Sequence, residues 1–374
     1  MLITNYFEKP NRKLIWLSDP PLHFGLTWSP TYDTPMMSTA QLPHVDFLYE
    51  RDGSHWKIAD ARMNKEKWGG TYTPIMHFNG PRRTLNERRM ICEGTQDLSG
   101  KEKGEKKMFV GFLKSNLQKA IRRRNTQIAL RTTKTLLLID PVELLRRFPI
   151  ILVEDVGVHE CIAPLVWLMV ISMNGYILEE RERNFIMGAV VWMCDCEKQV
   201  VPEKRGKFDY IKLLSEQVWN QLSRAQQNTF MALYVRVNYG GTSGDMEMLR
   251  FWMEYVIMGR GPLWCESIDA VEFSSKQFNF NFHSDALNCA IDFHVFPEFI
   301  TGLTGDYGTE EEVKLAIWFC SSAPNKRVGS FTPKDYSQHF RRFRRLEQSL
   351  GRLQRNKRKI LETLFLRLCL VIDR

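Results

Sequence analysis

The spacing of apolar residues predicts that most of this chain is helical. From Met108 to about Val200, apolar side chains recur at steps of three and four residues, as at Leu113, Leu117 and Ile121, and this spacing places them on one face of an α-helix. A second block with the same periodicity runs from Tyr210 to about Met258. The pattern therefore predicts a mainly α fold with a multi-helical core.

The C-terminal segment has the clearest amphipathic pattern. Between Tyr336 and about Leu370, apolar residues recur at steps of three, four and seven, and most basic residues fall elsewhere on the helical wheel. This spacing predicts one long basic amphipathic helix, or two. Shorter helices are predicted from His283 to Val295 and from Glu310 to Ser321.

The first 105 residues differ from the rest because they are rich in Pro, Gly and aromatic residues. Val45–Tyr49 and His55–Ile58 flank an Asp-Gly pair, which is typical of a β-hairpin. A smaller irregular and β region is therefore expected at the N-terminus. The polar stretch Thr95–Lys107 predicts an exposed linker or a long loop.

The charge balance modestly favours a phosphate-rich partner. The chain has 52 Lys and Arg against 43 Asp and Glu, a formal net charge of +9, and cations attract nucleic acid through counterion release. Its eight cysteines show no framework spacing, which indicates a reducing compartment. The most apolar stretch, Ile162–Met173, contains Pro164 and is shorter than the roughly 20 residues of a membrane-spanning helix, so no membrane partner is expected.

A short motif at the N-terminus resembles the clamp-interaction box of proteins that bind sliding clamps. Ile3 stands three and four positions before Tyr6 and Phe7, so one helical turn would present all three side chains together. The family usually has a Gln three residues before the aliphatic position, and this chain has none. The resemblance implies a sliding clamp as partner, bound through Ile3, Tyr6 and Phe7.

A longer run resembles the helical collar of clamp-loader-related ATPases of the MgsA/RarA kind. The residues that carry the resemblance are Leu117–Arg123, Ala129–Leu130, Asp140–Pro141 and Leu144–Gly157, and the similarity extends over about 113–175. In that family this region joins subunits. The resemblance implies association with a second copy of the chain or with a clamp-loader-like partner.

Within the collar-like run, Arg146 and Arg147 precede Glu154 and Asp155 by seven and eight residues. Two helical turns separate the basic pair from the acidic pair, so all four lie on a similar face. Ion pairs within or between helices are expected here, without a catalytic role.

The ATPase module that precedes the collar in that family is missing from this chain. The nearest approach to a phosphate-binding loop, Gly94 to Glu102, has one residue too many between its glycines. It also places Glu102 where a Ser or Thr hydroxyl would hold magnesium. We therefore expect no nucleotide hydrolysis and no cofactor.

These patterns divide the chain into four predicted domains. The first is the irregular and β region 1–105 with its clamp-binding-like terminus, and the second is the collar-like helical domain 106–205. A second helical domain covers 206–333, and the basic amphipathic helix covers 334–374.

A dense set of metal-capable groups between 283 and 294 supports an alternative function. On the predicted helix, Asp285, Cys289 and Asp292 would share one face, with His283 and His294 close by. Carboxylate ligands and a His base would suit a metal-dependent enzyme that acts on nucleic acid. The aromatic neighbours point equally to a packed helix with no metal.

Basic side chains supply the remaining candidates, because Arg offers paired donors that match phosphate oxygens. The candidate phosphate-binding residues are Arg82, Arg83, Arg122, Arg123, Arg341, Arg344, Arg345, Arg355 and Arg358. Together the motifs predict a non-hydrolysing accessory factor of DNA replication or repair, in the nucleus or at another intracellular site of DNA replication. A structural scaffold whose charge is incidental is a third possibility.

Overall fold

Helices dominate the structure, a computed structural model that describes residues 24–30, 56–58, 72–78, 100–159, 161–173, 178, 180–197, 218, 221–258, 268–318 and 340–372. The predicted mainly α fold with a multi-helical core is confirmed. The chain divides into two compact units that each join distant segments. The first unit comprises Met1–Glu93, Leu145–Ala189 and Gln199–Val271, and the second comprises Gly94–Leu144, Val190–Lys198 and Glu272–Arg374. The four consecutive domains expected from the sequence remain a prediction.

In the described residues, three strands precede the helices: β1 (Phe24–Pro30), β2 (Trp56–Ile58) and β3 (Tyr72–Phe78). They form an antiparallel sheet in the order β1-β3-β2. Phe78 of β3 is paired with Phe24 of β1 and with Trp56 of β2. The other predicted hairpin strand, 45–49, lies outside the described residues, so the irregular and β character of 1–105 stays a prediction.

Eleven α-helices follow in the described residues. They are α1 (Gly100–Arg122), α2 (Thr126–Ile139), α3 (Pro141–Asp155), α4 (Ile162–Met173), α5 (Glu180–Asp195), α6 (Arg224–Asn238), α7 (Ser243–Ile257), α8 (Phe282–Asp285), α9 (Glu298–Leu303), α10 (Glu310–Ile317) and α11 (Phe340–Ile372). Two 3-10 turns, Lys276–Phe278 and Asn288–Ala290, lie between α7 and α9. None of these helices is both long and apolar enough to cross a membrane.

In the first unit, α6 packs against α4 and α7. Ser223 starts α6 with a reciprocal capping box, in which its hydroxyl accepts from the backbone of Gln226 and the Gln226 side chain accepts from the backbone of Ser223. Thr242 caps α7. The chain reverses between α6 and α7 at Gly240, whose φ of +77° is one that glycine adopts without strain. Trp252 of α7 is among the largest fully buried side chains.

In the second unit, α1 packs against α2 and α11. A cluster of phenylalanines forms the core where α1, α11 and the segment around α8 meet. Phe365 is central to it, with ring centroids 5.7 Å from Phe280, 6.0 Å from Phe109 and 6.0 Å from Phe282. Phe112 completes the cluster, 5.9 Å from Phe282. Packing of the half-buried Phe365 ring against these buried rings seats α11 on the unit.

The predicted helix from His283 to Val295 is wrong, because this stretch contains only the short α8, a 3-10 turn and further turns. Side chains from elsewhere in the unit satisfy the backbone groups that a continuous helix would use. The Asn116 amide donates to Asp285 O at 2.9 Å and accepts from Leu287 N at 2.8 Å, and Arg358 donates to His283 O at 2.8 Å. Tertiary hydrogen bonds therefore replace the helical ones.

The polar stretch Thr95–Lys107 was expected to be a linker or loop, but α1 already begins at Gly100. Lys and Glu are good helix formers, and their side chains need no packing on an exposed turn. Neither Gly104 nor Gly111 has a neighbouring atom within 4 Å of where a Cβ would lie, so no close packing explains these two helical glycines. Helix α1 therefore begins with polar turns and continues into the part that is buried from Phe109 onward.

Candidate nucleic-acid interface

Helix α11 lies on the second unit by its apolar face. Leu346, Leu350, Leu361 and Leu364 are buried, each at most 4% exposed. These positions repeat at the helical spacing seen in the sequence, and they pack α11 against α1, α9 and α10. The opposite face of the helix is left to solvent.

Polar contacts along the edges of that apolar face fix the helix in place. Arg358 has the largest set: its guanidinium donates to the carbonyls of Phe282, His283 and Ala286 and to the side chain of Asn288, at distances from 2.8 to 3.4 Å. The guanidinium carbon also lies 5.7 Å from the centroid of the Phe282 ring. Arg358 therefore ties α11 to the segment around α8.

Further contacts hold other turns of α11. Lys357 Nζ lies 2.5 Å from Glu298 Oε1 of α9, and the Tyr307 hydroxyl lies 2.5 Å from Ser349 Oγ. Gln354 donates to Ile291 O at 3.0 Å. A helix fixed at this many points presents its outer face in one orientation.

The outer face carries four basic residues, Arg345, Arg352, Arg355 and Lys359, which we call the basic face. Steps of seven join Arg345, Arg352 and Lys359, and Arg355 lies one turn from the last two, so all four point to the same side of the helix. All four are exposed. Their side chains form no ion pair or hydrogen bond with any residue that the structure describes.

One acidic residue of α11 borders the basic face. Glu362 lies one helical turn after Lys359, and its carboxylate is 3.0 Å from His283 Nε2. The other, Glu347, lies about 120° around the helix from the centre of the basic face. From Arg345 to Lys359 the charges extend over about 21 Å at 1.5 Å of rise per residue. The result is a linear array of cations on a rigid support.

The candidates predicted from the sequence cover only part of this face. They include Arg345 and Arg355 but not Arg352 and Lys359. The signal that could have found them is the seven-residue step from Arg345, which is visible in the sequence. Arg341 and Arg344 belong to the first turn of α11, and their side chains are not among the described ones.

Three of the other candidate arginines are placed differently. Arg122 is only 7% exposed, and Arg358 is engaged with the carbonyls around α8. Arg123 donates to Cys289 Sγ at 2.6 Å. Arg82, Arg83 and the clamp-binding candidates Ile3, Tyr6 and Phe7 lie outside the described residues. Of the candidates whose side chains the structure describes, the exposed ones are Arg345 and Arg355, and both belong to the basic face.

The metal-capable residues of 283–294 are engaged in packing contacts. Asp285 is buried, and its Oδ1 lies 3.0 Å from the guanidinium of Arg131 while its Oδ2 accepts from Asn281 N at 2.7 Å. Asp292 is buried against the ammonium of Lys119 and accepts from His294 N at 3.0 Å. In the described part of the chain, no three His, Cys, Asp or Glu side chains are grouped to hold a metal ion. These contacts favour a structural role for both carboxylates.

Cys289 lies close to this cluster, and its environment does not activate it. Burial raises the pKa of the Cys289 thiol, and the neighbouring charges of Arg123 and Lys119 only partly oppose this effect. A thiol held in the protonated form is a weak nucleophile. Nucleophilic catalysis by Cys289 is therefore not supported.

The two charged pairs of the collar-like run, Arg146 and Arg147 with Glu154 and Asp155, lie in the first unit. Arg147 lies 4.0 Å from Glu154 within α3, and 3.2 Å from Asp245 of α7. Arg236 of α6 donates to Arg146 O at 3.0 Å. The expected ion pairs within and between helices are thus confirmed for Arg147.

The chain matches no family model, no curated protein and no solved structure. The collar-like run and the clamp-interaction box therefore depend on their sequence motifs. The geometry of the basic face is the structural observation that bears most directly on function.

Proposed function

We propose that this protein is a non-hydrolysing accessory factor of DNA replication or repair, which binds DNA through the basic face of α11 and a sliding clamp through Ile3, Tyr6 and Phe7. The observation that carries the proposal is the basic face itself. It places four exposed cations in line, with no partner among the described residues.

Physical chemistry explains why such an array suits DNA. Each Lys or Arg that neutralises a phosphate releases condensed counterions, and this release supplies the sequence-independent part of DNA affinity. Arginine adds a planar fork of donors that matches two phosphate oxygens. Because α11 is already held by Arg358, Lys357 and its buried leucines, its backbone has little conformational freedom left to lose on binding.

Two further parts of the proposal depend on the sequence resemblances. The collar-like run supports association with a second copy or with a clamp-loader-like partner. The missing phosphate-binding loop supports binding without nucleotide hydrolysis. Action beside DNA supports a location in the nucleus or at another intracellular site of DNA replication.

The DNA part of the proposal is tested by removing the basic face. We expect the variant Arg345→Gln/Arg352→Gln/Arg355→Gln/Lys359→Gln to lose most of its affinity for a labelled DNA in an anisotropy titration, with unchanged circular dichroism. The matched control is Arg250→Gln, which removes one exposed helical arginine from α7 and should bind as the unaltered chain does. Unchanged affinity in the fourfold variant would favour a scaffold whose charge is incidental.

The clamp part is tested separately, by binding of the full chain to its cognate sliding clamp. The substitutions Tyr6→Ala and Phe7→Ala remove the two aromatic side chains of the motif and should abolish this binding. Arg12→Gln is the control, because it lies outside the hydrophobic motif. If the unaltered chain does not bind the clamp, the N-terminal motif has another role.

A further inference from the structure

We infer that the basic face binds the phosphate backbone of double-stranded DNA in preference to a single strand; this inference rests on the proposed DNA-binding function and specifies its ligand. It follows from the side chains that are present on the face and from those that are absent.

The absent side chains are aromatic ones. Proteins that hold single strands combine a basic groove with aromatic rings on which bases stack, each worth about 1–3 kcal/mol. The exposed uncharged residues between Arg345 and Thr363 are Gln348, Asn356, Ile360 and Thr363, and none of them has a ring. The next aromatic residue along the helix, Phe365, is half-buried and packs against the phenylalanine cluster. Between Arg345 and Thr363, the face therefore offers charge without stacking platforms.

The charges that are present form a rigid line. On a straight helix, Arg345, Arg352 and Lys359 follow one another at about 10.5 Å. A duplex carries about one charge per 1.7 Å of its axis, so the roughly 21 Å of the basic face runs beside about 12 phosphates. A duplex is stiff over this length, whereas a single strand would have to be straightened against its conformational entropy.

Counterion release gives the size of the preference. Four phosphate contacts predict a slope of log K against log salt of about −3.6 on a duplex and about −2.8 on a single strand. If the two affinities are equal at 1 M salt, this difference makes the duplex about sixfold tighter at about 0.1 M salt. Stacking would reverse the preference, and no ring is exposed on α11 between Arg345 and Thr363.

The experiment uses the full chain and two labelled probes, a short mixed-sequence duplex and one of its strands, titrated between about 50 and 200 mM salt. We expect tighter binding to the duplex with a slope near −3.6, and we expect Arg352→Gln/Arg355→Gln to reduce the steepness of that slope by about 1.8. Arg250→Gln should leave the slope unchanged. These exposed substitutions should not affect folding, and thermal melting checks this.

The outcomes separate the inference from the function on which it rests. Equal or tighter binding to the single strand would overturn the duplex preference and leave DNA binding standing. Duplex binding with a slope that Arg352→Gln/Arg355→Gln does not change would place the contacts elsewhere and also overturn the inference. If neither probe binds, the proposed function itself fails.

Discussion

The ammonium of Lys119 donates a hydrogen bond to the carboxylate of Asp292, and the two side chains are only 5% and 0% exposed. This pair joins α1 to the turn before α9. Lys119 also donates to Ser115 Oγ at 2.9 Å, and Asp292 accepts from the backbone of His294. Burial raises the pKa of Asp292, but the hydrogen bond from His294 and the charge of Lys119 outweigh this effect and hold the pKa below its ordinary value. The carboxylate is therefore ionised at neutral pH.

Breaking the pair should destabilise the protein strongly. Asp292→Asn leaves the charge of Lys119 buried without its counter-charge, so we expect a loss of about 3–5 kcal/mol in the free energy of unfolding. Urea denaturation measures the loss. The double variant Lys119→Met/Asp292→Asn removes both charges and should recover much of the stability. A double variant no more stable than Asp292→Asn would contradict this account.

His159 should make stability depend on pH. Burial lowers the pKa of His159 from 6.5 to about 3, and its Nδ1 accepts from Cys161 N at 3.0 Å. The pKa of His159 is lower in the folded protein than in the unfolded chain, so between pH 6.5 and about pH 3 the unfolded chain binds this proton and the folded protein does not. The stability that the neutral His159 contributes is therefore complete above pH 6.5 and is lost as the pH falls towards 3.

We therefore expect His159 to lower the free energy of unfolding by about 2 kcal/mol when the pH is lowered from 7 to 5. Denaturant midpoints at the two pH values measure the loss. His159→Asn keeps an acceptor for Cys161 N but does not titrate, so its stability should change less over the same interval. Parallel pH profiles for the two proteins would count against the buried neutral imidazole.

Two helical glycines should respond in opposite directions to the same substitution. A Cβ at Gly188 of α5 would lie 2.0 Å from the carbonyl oxygen of Asp269, whereas a Cβ at Gly111 of α1 would meet no atom within 4 Å. We expect Gly111→Ala to stabilise by up to about 1 kcal/mol through helix propensity. Gly188→Ala should lower the melting temperature, because the backbone at Asp269 or at residue 188 must shift to make room for the Cβ. A stabilising Gly188→Ala would rule out the close approach.

Two neighbouring arginines of α11 should have separable roles. Arg358→Met removes the hydrogen bonds to the carbonyls around α8 and should cost about 2–3 kcal/mol of stability, since hydrogen bonds from a charged group are the stronger ones. Arg355→Met should change stability by no more than about 0.5 kcal/mol and should weaken DNA binding. Thermal melting and DNA titration on both variants test this separation. Equal stability losses would contradict the assignment.

Much of the helical architecture could be predicted from local pattern. The apolar steps of 108–200, 210–258 and 336–370 correspond to helices over most of their described residues, because an apolar stripe at the helical period can be seen in the sequence alone. The segment 283–295 could not be predicted in this way. The pattern of apolar and polar residues in this segment fits a helix, but the helix ends at Asp285. Asn116 and Arg358, which are distant in sequence, donate hydrogen bonds to carbonyls of this segment instead.

The candidate site, too, could be predicted only in part. Composition and spacing alone reveal the excess of positive charge, the amphipathic period of α11 and the seven-residue step from Arg345 to Lys359. Which cations stay available to a ligand depends instead on tertiary packing. Arg358 and Lys119 carry the same charge as Arg352 and Lys359, yet packing directs the first two to carbonyls and a buried carboxylate and leaves the others in solvent. A side chain's partners depend on which distant segments fold against it, and no local pattern contains that information.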